Sequence, residues 1–413
     1  MNTLQHVLII GFVWPEPNSS AAGARTLSLI HLFQSVGWKI TFASAAADSE
    51  FMFDLTAIGV ERVNIELNNK SFDEWIKALQ PAIVVFDRFM TEEQFSWRVA
   101  ENCPHALRIL DTSDLHCLRL ARQKTFYENR IFTHDDLVID VAKREIASIL
   151  RSDISIIISQ VEMELLQNYF KVDKALLHYM PFLLDEIEET TIKNWPSFEE
   201  RINFISIGNF LHEPNWNAVL FLKQEIWPLI RKQLPQAELN VYGAYSSQKV
   251  NELHNAKEGF LIMGRAADSK KVMQQSKVCL APLRFGAGIK GKLTEAMLCG
   301  TPSVTTAIGA ESMYYNFEWS GIIANDAKTI AAAAIQLYTD KTVWKKSHEN
   351  GVKIINSLYQ KEKLGATLIQ HILKIQTNII QHRLNNFMGA MLLHHTAAST
   401  KYMSKWIEVK NKS

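Results

Sequence analysis

Residues 280–306 read Leu280-Ala-Pro-Leu-Arg-Phe-Gly-Ala-Gly-Ile-Lys-Gly-Lys-Leu-Thr-Glu-Ala-Met-Leu-Cys-Gly-Thr-Pro-Ser-Val-Thr-Thr306, which predicts a strand, a glycine-rich loop, a helix and a second strand. The glycines let the backbone approach an anion closely, and the first amides of the helix would face that anion. Lys290 and Lys292 add positive charge, and Glu295 lies where a carboxylate can accept hydrogen bonds from ribose hydroxyls. The stretch therefore predicts a nucleotide diphosphate site, while a glycine loop that only connects a strand to a helix is an equally common alternative.

Length and composition exclude several classes of protein. The 413 residues, 47% of them apolar, are enough for two domains with separate cores, and the net charge of +1 gives no bulk attraction for nucleic acid. The four cysteines lack metal-ligand spacing, which favours reduced thiols. No run of about 18 apolar residues offers a membrane span. We therefore predict a cytoplasmic protein without nucleic acid partners, and peripheral association with the inner face of a membrane stays open.

The alternation of strand-like and helix-like segments predicts two α/β domains, each a parallel sheet covered by helices. The acidic segment 185–201, which contains Pro196, has no apolar period and is interpreted as a linker. We predict an N-terminal Rossmann-like domain over 1–184, a second Rossmann-like domain over 202–375 and a helical extension over 376–413. For the extension, packing on the first domain, a partner contact and a weak interfacial helix are all open. Ligands of such sheets bind beyond the carboxyl ends of the strands.

The segment around Glu295 resembles the donor-site signature of the family 4 glycosyltransferases, the group 1 type enzymes that are retaining, metal-independent and of the GT-B fold. In the signature Glu-x7-Glu the second glutamate falls on Glu295, followed by the typical Cys299-Gly-Thr-Pro302. The first falls on Ala287, where the family's acid generally contacts hydroxyls of the donated sugar. The resemblance implies two doubly wound domains facing each other across a cleft.

The same resemblance implies an activity and its partners. A sugar would pass with retention from a nucleotide diphosphate-sugar to a hydroxyl of a glycan, lipid-linked or other acceptor, as in the biosynthesis of polysaccharides and glycoconjugates. The nucleotide-sugar is a co-substrate, so neither a cofactor nor a metal is expected. Two alternatives stay open: a sugar-nucleotide epimerase of similar architecture, and a non-catalytic sugar-nucleotide-binding protein.

The donor site implied by the resemblance draws on the carboxyl ends of three strands of the second domain. The family's arginine and lysine near Gly208 are absent here, so we expect Lys290, helped by Arg284, to neutralise the diphosphate. Asn209 could equally cap a turn, and Gly264 lies where the family's backbone surrounds the nucleotide base. The predicted donor-binding residues are Gly208, Asn209, Gly264, Arg265, Arg284, Gly286, Gly288, Ile289, Lys290 and Glu295.

The first domain is expected to contribute catalytic and acceptor-side residues. Many family members carry a histidine just after the strand near residue 110 that contacts the donor sugar, and here Asp111 and then His116 match that position best. With Lys290, which would stabilise charge on the leaving diphosphate, they form the predicted catalytic set. Gly23 and Arg25, in the loop and helix after the first strand, are predicted on the acceptor side.

Overall fold

The computed structural model describes residues 5–394 together with Met403, Trp406, Ile407 and Lys410. Within the predicted extension 376–413, His395 and the remaining positions after it lie outside the described residues. Two parallel sheets with covering helices confirm the predicted α/β fold of two doubly wound domains.

The first domain is built on a seven-stranded parallel sheet with the strand order β3-β2-β1-β4-β5-β6-β7. Its central strands are continuous apolar runs because helices cover both faces, and β1 is buried over five of its six residues. The strands are β1 His6–Gly11, β2 Lys39–Ser44, β3 Glu61–Asn64, β4 Ile83–Asp87, β5 Leu107–Asp111, β6 Ile154–Ile157 and β7 Leu177–Tyr179. The helices are α1 Ala21–Ser35, α2 Lys70–Leu79, α3 Arg88–Asn102, α4 His116–Tyr127, α5 Asp140–Arg151 and α6 Gln160–Asn168.

The second domain carries a six-stranded parallel sheet with the order β10-β9-β8-β11-β12-β13. Its strands are β8 Ile202–Ile207, β9 Leu239–Tyr242, β10 Phe260–Gly264, β11 Ser276–Ala281, β12 Ser303–Thr305 and β13 Gly321–Ile323. Its helices are α8 Glu213–Phe221, α9 Trp227–Gln233, α10 Gln248–Asn251, α11 Ser269–Gln275, α12 Gly291–Leu298, α13 Ala307–Ala310, α14 Ala327–Thr339 and α15 Lys341–Leu358. A π-helical turn, Leu222–Ile226, joins α8 to α9.

The segment between the domains is more ordered than its composition predicts. It contains a short helix, α7 Glu189–Lys193, and two buried apolar side chains, Ile187 and Trp195. Both side chains belong to one apolar cluster with Ile158 of the first domain and Ile289 of the second. The expectation of an apolar-poor linker therefore overlooked residues that help to join the domains.

The C-terminal helices return to the first domain, which moves the predicted boundary at residue 375. Helix α16 Lys361–Thr377 buries Leu368, Ile372 and other side chains in the first domain's core. After it come α17 Ile379–Asn385 and α18 Phe387–Leu393. The second domain thus ends before Lys361, because the apolar face of α16 is complementary to the other sheet.

The described part of the extension is held on the first domain by polar contacts. Arg383 donates from Nε to Asp153 Oδ1 at 2.8 Å and from Nη2 to Asp153 Oδ2 at 2.7 Å. Asn386 Nδ2 donates to the carbonyl of Leu150 at 2.7 Å. None of the helices in the described part of the chain combines the length and the apolar character of a membrane span.

Candidate active site

The glycine loop between β11 and α12 lies directly against the first domain. A Cβ atom at Gly288, whose φ is +63°, would come within 2.9 Å of Asp114 Cβ, and one at Gly291 within 2.5 Å of Ala21 Cβ. Gly288 needs glycine for its left-handed backbone as well as for this contact. The loop thus serves the contact between the domains in addition to presenting its amides.

Lys290 stands immediately before α12 and is 9% exposed. Its Nζ donates to the carbonyl of Gly288 at 2.6 Å, and burial lowers the pKa of the ammonium to about 8. A buried cation of this kind is poorly solvated, so an incoming anion would meet its charge at nearly full strength. The position is consistent with a charge that stabilises a diphosphate.

Lys292, which the predicted site omits, is the lysine that reaches the loop after β8. Its Nζ donates to Asn215 Oδ1 at 2.8 Å, and a Cβ at Gly208 would lie 2.6 Å from the same Nζ. Burial lowers the pKa of Lys292 to about 8. Asn209 uses its Oδ1 to accept from Leu211 N at 2.8 Å, which is the turn-capping alternative. Lys290 and Lys292 therefore flank the space that a diphosphate would fill.

Glu295 and Gly264 lie on two elements of the second domain, α12 and the end of β10. Glu295, on α12, accepts a hydrogen bond from the hydroxyl of Ser269, and burial raises the pKa of its carboxyl. Gly264 has φ +70°, and its carbonyl accepts from Gly243 N at 2.8 Å. The Arg265 guanidinium lies 4.3 Å from the centroid of the Phe51 ring of the first domain. A cavity of about 280 Å³ beside Arg265 is lined from the first domain by Pro17, Asn18 and residues 50–54.

Two other predicted donor residues have packing roles. Arg284 donates from Nε to Asn217 Oδ1 at 2.7 Å, and its guanidinium lies 4.6 Å and 4.4 Å from the ring centroids of Phe126 and Phe221. Because these contacts occupy Arg284, they do not support its predicted contact with the diphosphate. Ile289 is 7% exposed and packs in the apolar cluster between the domains, so only its backbone is available to a ligand.

The first domain holds Arg25 and Asp111 together as a buried ion pair. Arg25 Nε donates to both carboxylate oxygens of Asp111 at 3.0 Å, and its Nη1 donates to the carbonyls of Met180 and Pro181 at 3.0 and 3.1 Å. Arg25 is 2% exposed and Asp111 is 4% exposed, so neither presents a free charge to the cleft. A Cβ at Gly23 would meet the backbone of Glu16 at 2.5 Å. These contacts correct the predicted acceptor-side role of Arg25 and the predicted catalytic role of Asp111. Both side chains instead stabilise the carboxyl end of the first sheet, where Asp111 ends β5.

His116 begins α4 at the edge of the cleft. Its backbone amide donates to Glu145 Oε1 at 2.9 Å, and its ring Nδ1 is buried without a hydrogen bond, 3.8 Å from Asp114 Oδ1. Asp114 also pairs with Arg119 at 3.2 Å, and nearby positive charge lowers the pKa of its carboxyl despite its burial. Asp114 therefore lies beside the glycine loop, whereas the His116 ring lies nearest to Glu145, with Nδ1 3.4 Å from Oε1.

Two first-domain residues that sequence reasoning missed reach across to the glycine loop. Glu162, on α6, is fully buried and accepts from Gly288 N at 2.9 Å. Arg122, on α4, donates to the carbonyl of Gly286 at 2.9 Å and to both carboxylate oxygens of Glu311 at 2.7 and 2.8 Å. Neither residue stands in a recognisable motif, since their partners lie more than 120 positions away along the chain.

Residues with metal-ligating side chains are not gathered in this region. Across residues 5–394 and the four described positions beyond them, no group of three or more His, Cys, Asp or Glu side chains is placed to hold a metal ion. The polar groups around the glycine loop are lysines, arginines, amides and carboxylates that pair with one another.

Comparison with known proteins finds similarity to glycosyl transferases in the second domain. Residues 201–340 match the family described as "Glycosyl transferases group 1". A curated protein from the cps region of Klebsiella pneumoniae, described as an uncharacterized 44.6 kDa protein, is 23% identical over 175 residues. That alignment covers 41% of this chain and 45% of the relative, so the chain matches less than half of the relative's length.

Solved structures share the arrangement of both domains. Sucrose-phosphate synthase from Thermosynechococcus elongatus superposes with a TM-score of 0.64 at 16% identity, covering 91% of this chain and 100% of that one. HepE from Anabaena, solved with UDP and glucose, gives a TM-score of 0.63 at 11% identity, covering 90% of this chain and 100% of that one. Such identities establish the fold alone. Residues 201–340 are therefore similar to the group 1 glycosyl transferases, and the chain as a whole has the GT-B fold.

Proposed function

We propose that the protein transfers a sugar from a nucleotide diphosphate-sugar to an acceptor hydroxyl, with retention of the anomeric configuration and without a divalent metal. The observation that carries the proposal is the pair Lys290 and Lys292: the ammonium of Lys290 donates to the carbonyl of Gly288 in the glycine loop, and that of Lys292 donates to Asn215 after β8. They supply the positive charge that a metal would otherwise bring to the diphosphate. Glu295 would accept from the ribose hydroxyls.

In the proposed reaction the acceptor oxygen forms a bond to the anomeric carbon while the bond from that carbon to the diphosphate oxygen breaks. The acceptor proton passes to the leaving diphosphate. The protein would contribute chiefly electrostatic stabilisation, because the ammonium of Lys290, held at the carbonyl of Gly288, would oppose the charge that grows on the leaving phosphate. His116, at the start of α4 and two positions after Asp114, is the first-domain residue proposed to contact the sugar.

The test is product analysis with nucleotide-sugars in the presence and absence of hydroxyl-bearing acceptors. Glycosylated acceptor and free nucleotide diphosphate, formed only when an acceptor is present, support the proposal. Altered nucleotide-sugar formed without an acceptor would indicate an epimerase, and tight binding without turnover would indicate a binding protein. Transfer should survive exhaustive chelation with EDTA; complete loss that Mn²⁺ or Mg²⁺ restores would refute the metal-independent mechanism.

We also propose peripheral association with an anionic membrane, where a lipid-linked acceptor would be available. The support is a set of apolar side chains on α17 and α18 that are between 50% and 74% exposed: Ile380, Leu384, Phe387, Met388 and Met391. In the sequence, four lysines and one acid follow between residues 401 and 412. Apolar residues combined with basic ones favour an anionic interface.

Vesicle sedimentation tests the membrane proposal. The full chain should sediment with vesicles of phosphatidylglycerol and phosphatidylcholine, and the triple variant Ile380→Ser, Leu384→Ser and Phe387→Ser should stay in the supernatant. Replacing three exposed lysines of the second domain serves as the control for nonspecific charge effects. Equal sedimentation of the wild-type and triple-variant proteins would refute the role of these apolar side chains.

A further inference from the structure

Glu162 differs from the other buried glutamates of the first domain in keeping one carboxylate oxygen without a partner. Glu145 accepts backbone amides on both oxygens, from His116 N and Cys117 N at 2.9 Å each. Glu92 pairs through both oxygens with Arg151. Glu162 Oε1 accepts from Leu115 N and Gly288 N at 2.9 Å each, whereas its Oε2 is buried without a hydrogen-bond partner.

Glu162 Oε2 is free to accept a hydrogen bond from a ligand. Leaving a buried carboxylate oxygen unbonded costs stability, and a purely structural role could be filled without the negative charge. Burial raises the pKa of the Glu162 carboxyl to about 7, and the charge of Asp114 adds to the rise. The Leu115 amide, the Ser159 hydroxyl and the charge of Lys290 favour the ionised form. A ligand hydroxyl that donates to Oε2 would complete the carboxylate.

The glycine loop has no acid of its own to offer such a hydroxyl. From Arg284 to Thr294 the sequence contains no Asp or Glu, and Ala287 is 8% exposed within the apolar cluster of the first domain. An acid at position 287 would therefore be buried among apolar groups. Glu162 brings a carboxylate to the amide of the adjacent Gly288 from the opposite side of the cleft.

We propose that Glu162 Oε2 accepts a hydrogen bond from a hydroxyl of the donated sugar and so selects the sugar part of the donor. The inference rests on the proposed function, because it requires a nucleotide-sugar whose diphosphate lies at the glycine loop. One oxygen of Glu162 contacts both domains, so this recognition is complete only when the domains are in contact. Nucleotide diphosphate without a sugar would not use Oε2.

Glu162→Gln separates this role from a structural one. The amide oxygen of glutamine can keep the bonds to Leu115 N and Gly288 N, while its NH₂ group replaces the acceptor Oε2 by a donor. Calorimetry compares the affinities for UDP, GDP, ADP and dTDP with those for the corresponding glucose forms. The variant should lose roughly 10-fold to 100-fold in affinity for the preferred nucleotide-sugar and keep its affinity for the parent diphosphate. Glu92→Gln, which alters a buried carboxylate on α3, should change neither affinity.

Deoxy forms of the sugar identify the hydroxyl. One deoxy donor should bind the wild-type protein more weakly than the full donor, and Glu162→Gln should bind the two equally. If Glu162→Gln keeps the wild-type ratio of nucleotide-sugar to diphosphate affinity, or loses both affinities in parallel, the inference is overturned. A wild-type protein that binds none of the eight nucleotides overturns the proposed function itself, and with it this inference.

Discussion

Lys290 makes the stability of the folded chain depend on pH in a direction that can be measured. Burial lowers the pKa of Lys290 from its ordinary value of 10.5 to about 8. Between these values the unfolded chain keeps the proton that the folded chain has lost, so the unfolded state binds more protons and stability rises with pH. For Lys290 alone the free energy of unfolding rises by about 2.5 kcal/mol between pH 7 and pH 10. Each pH unit between the folded and unfolded pKa values contributes about 1.4 kcal/mol.

Urea unfolding of the wild-type chain and of Lys290→Met at pH 7, 8, 9 and 10 isolates this contribution. The free energy of unfolding of the wild-type protein should rise by about 2.5 kcal/mol more than that of Lys290→Met between pH 7 and pH 10. The reason is that methionine has no proton to lose. Lys249→Met, at an exposed position on α10, should give a curve parallel to that of the wild-type chain. A parallel curve for Lys290→Met would refute the argument that Lys290 is held as a poorly solvated cation.

Three further predictions concern the glycine loop and its neighbours. Glu295→Ala should weaken nucleotide binding by about 1.5–3 kcal/mol, the range of a hydrogen bond to a charged group, and unchanged affinity in calorimetry would contradict a ribose contact. Gly37→Ala, with open space around the new Cβ, should lose about 1–2 kcal/mol in urea unfolding because its φ is positive; Gly288→Ala should lose more, because its Cβ also meets Asp114 Cβ, and it alone should impair nucleotide binding. Arg122→Met should enlarge the radius of gyration in X-ray scattering by freeing Glu311, and an unchanged radius would show that Arg122 does not hold the domains together.

The sequence predicted the elements whose evidence is local. Buried parallel strands appear as continuous apolar runs, and the predicted runs at β1 and β11 overlap the observed strands. The edge strands β3 and β13 were missed: β3 has the polar sequence Glu61-Arg-Val-Asn64, and β13 has only three residues. The polar residues of β3 hide its strand character, and β13, although apolar, is too short to give a clear pattern.

The parts of the candidate site that were not predicted depend on contacts between distant residues. In the sequence, Arg25 and Asp111 were each predicted to contact a substrate. The structure shows that they form an ion pair with each other. Lys290 and Lys292 are two positions apart, and the direction of each side chain depends on where α12 begins. Glu162 is an ordinary helical glutamate in sequence, and its importance arises from the first domain's contact with Gly288.

The packing of α16 on the first domain affects how the chain folds during translation. Gly365 packs against Leu32 so closely that a Cβ would lie 2.5 Å from it, and Gln376 exchanges hydrogen bonds with Gln5 at 2.9 and 3.0 Å. The first domain therefore lacks one of its covering helices until the second domain has been synthesised. The second domain, continuous in sequence, can finish folding earlier. During translation the first domain therefore exposes an apolar face until α16 has been synthesised. Aggregation is a particular hazard during this period.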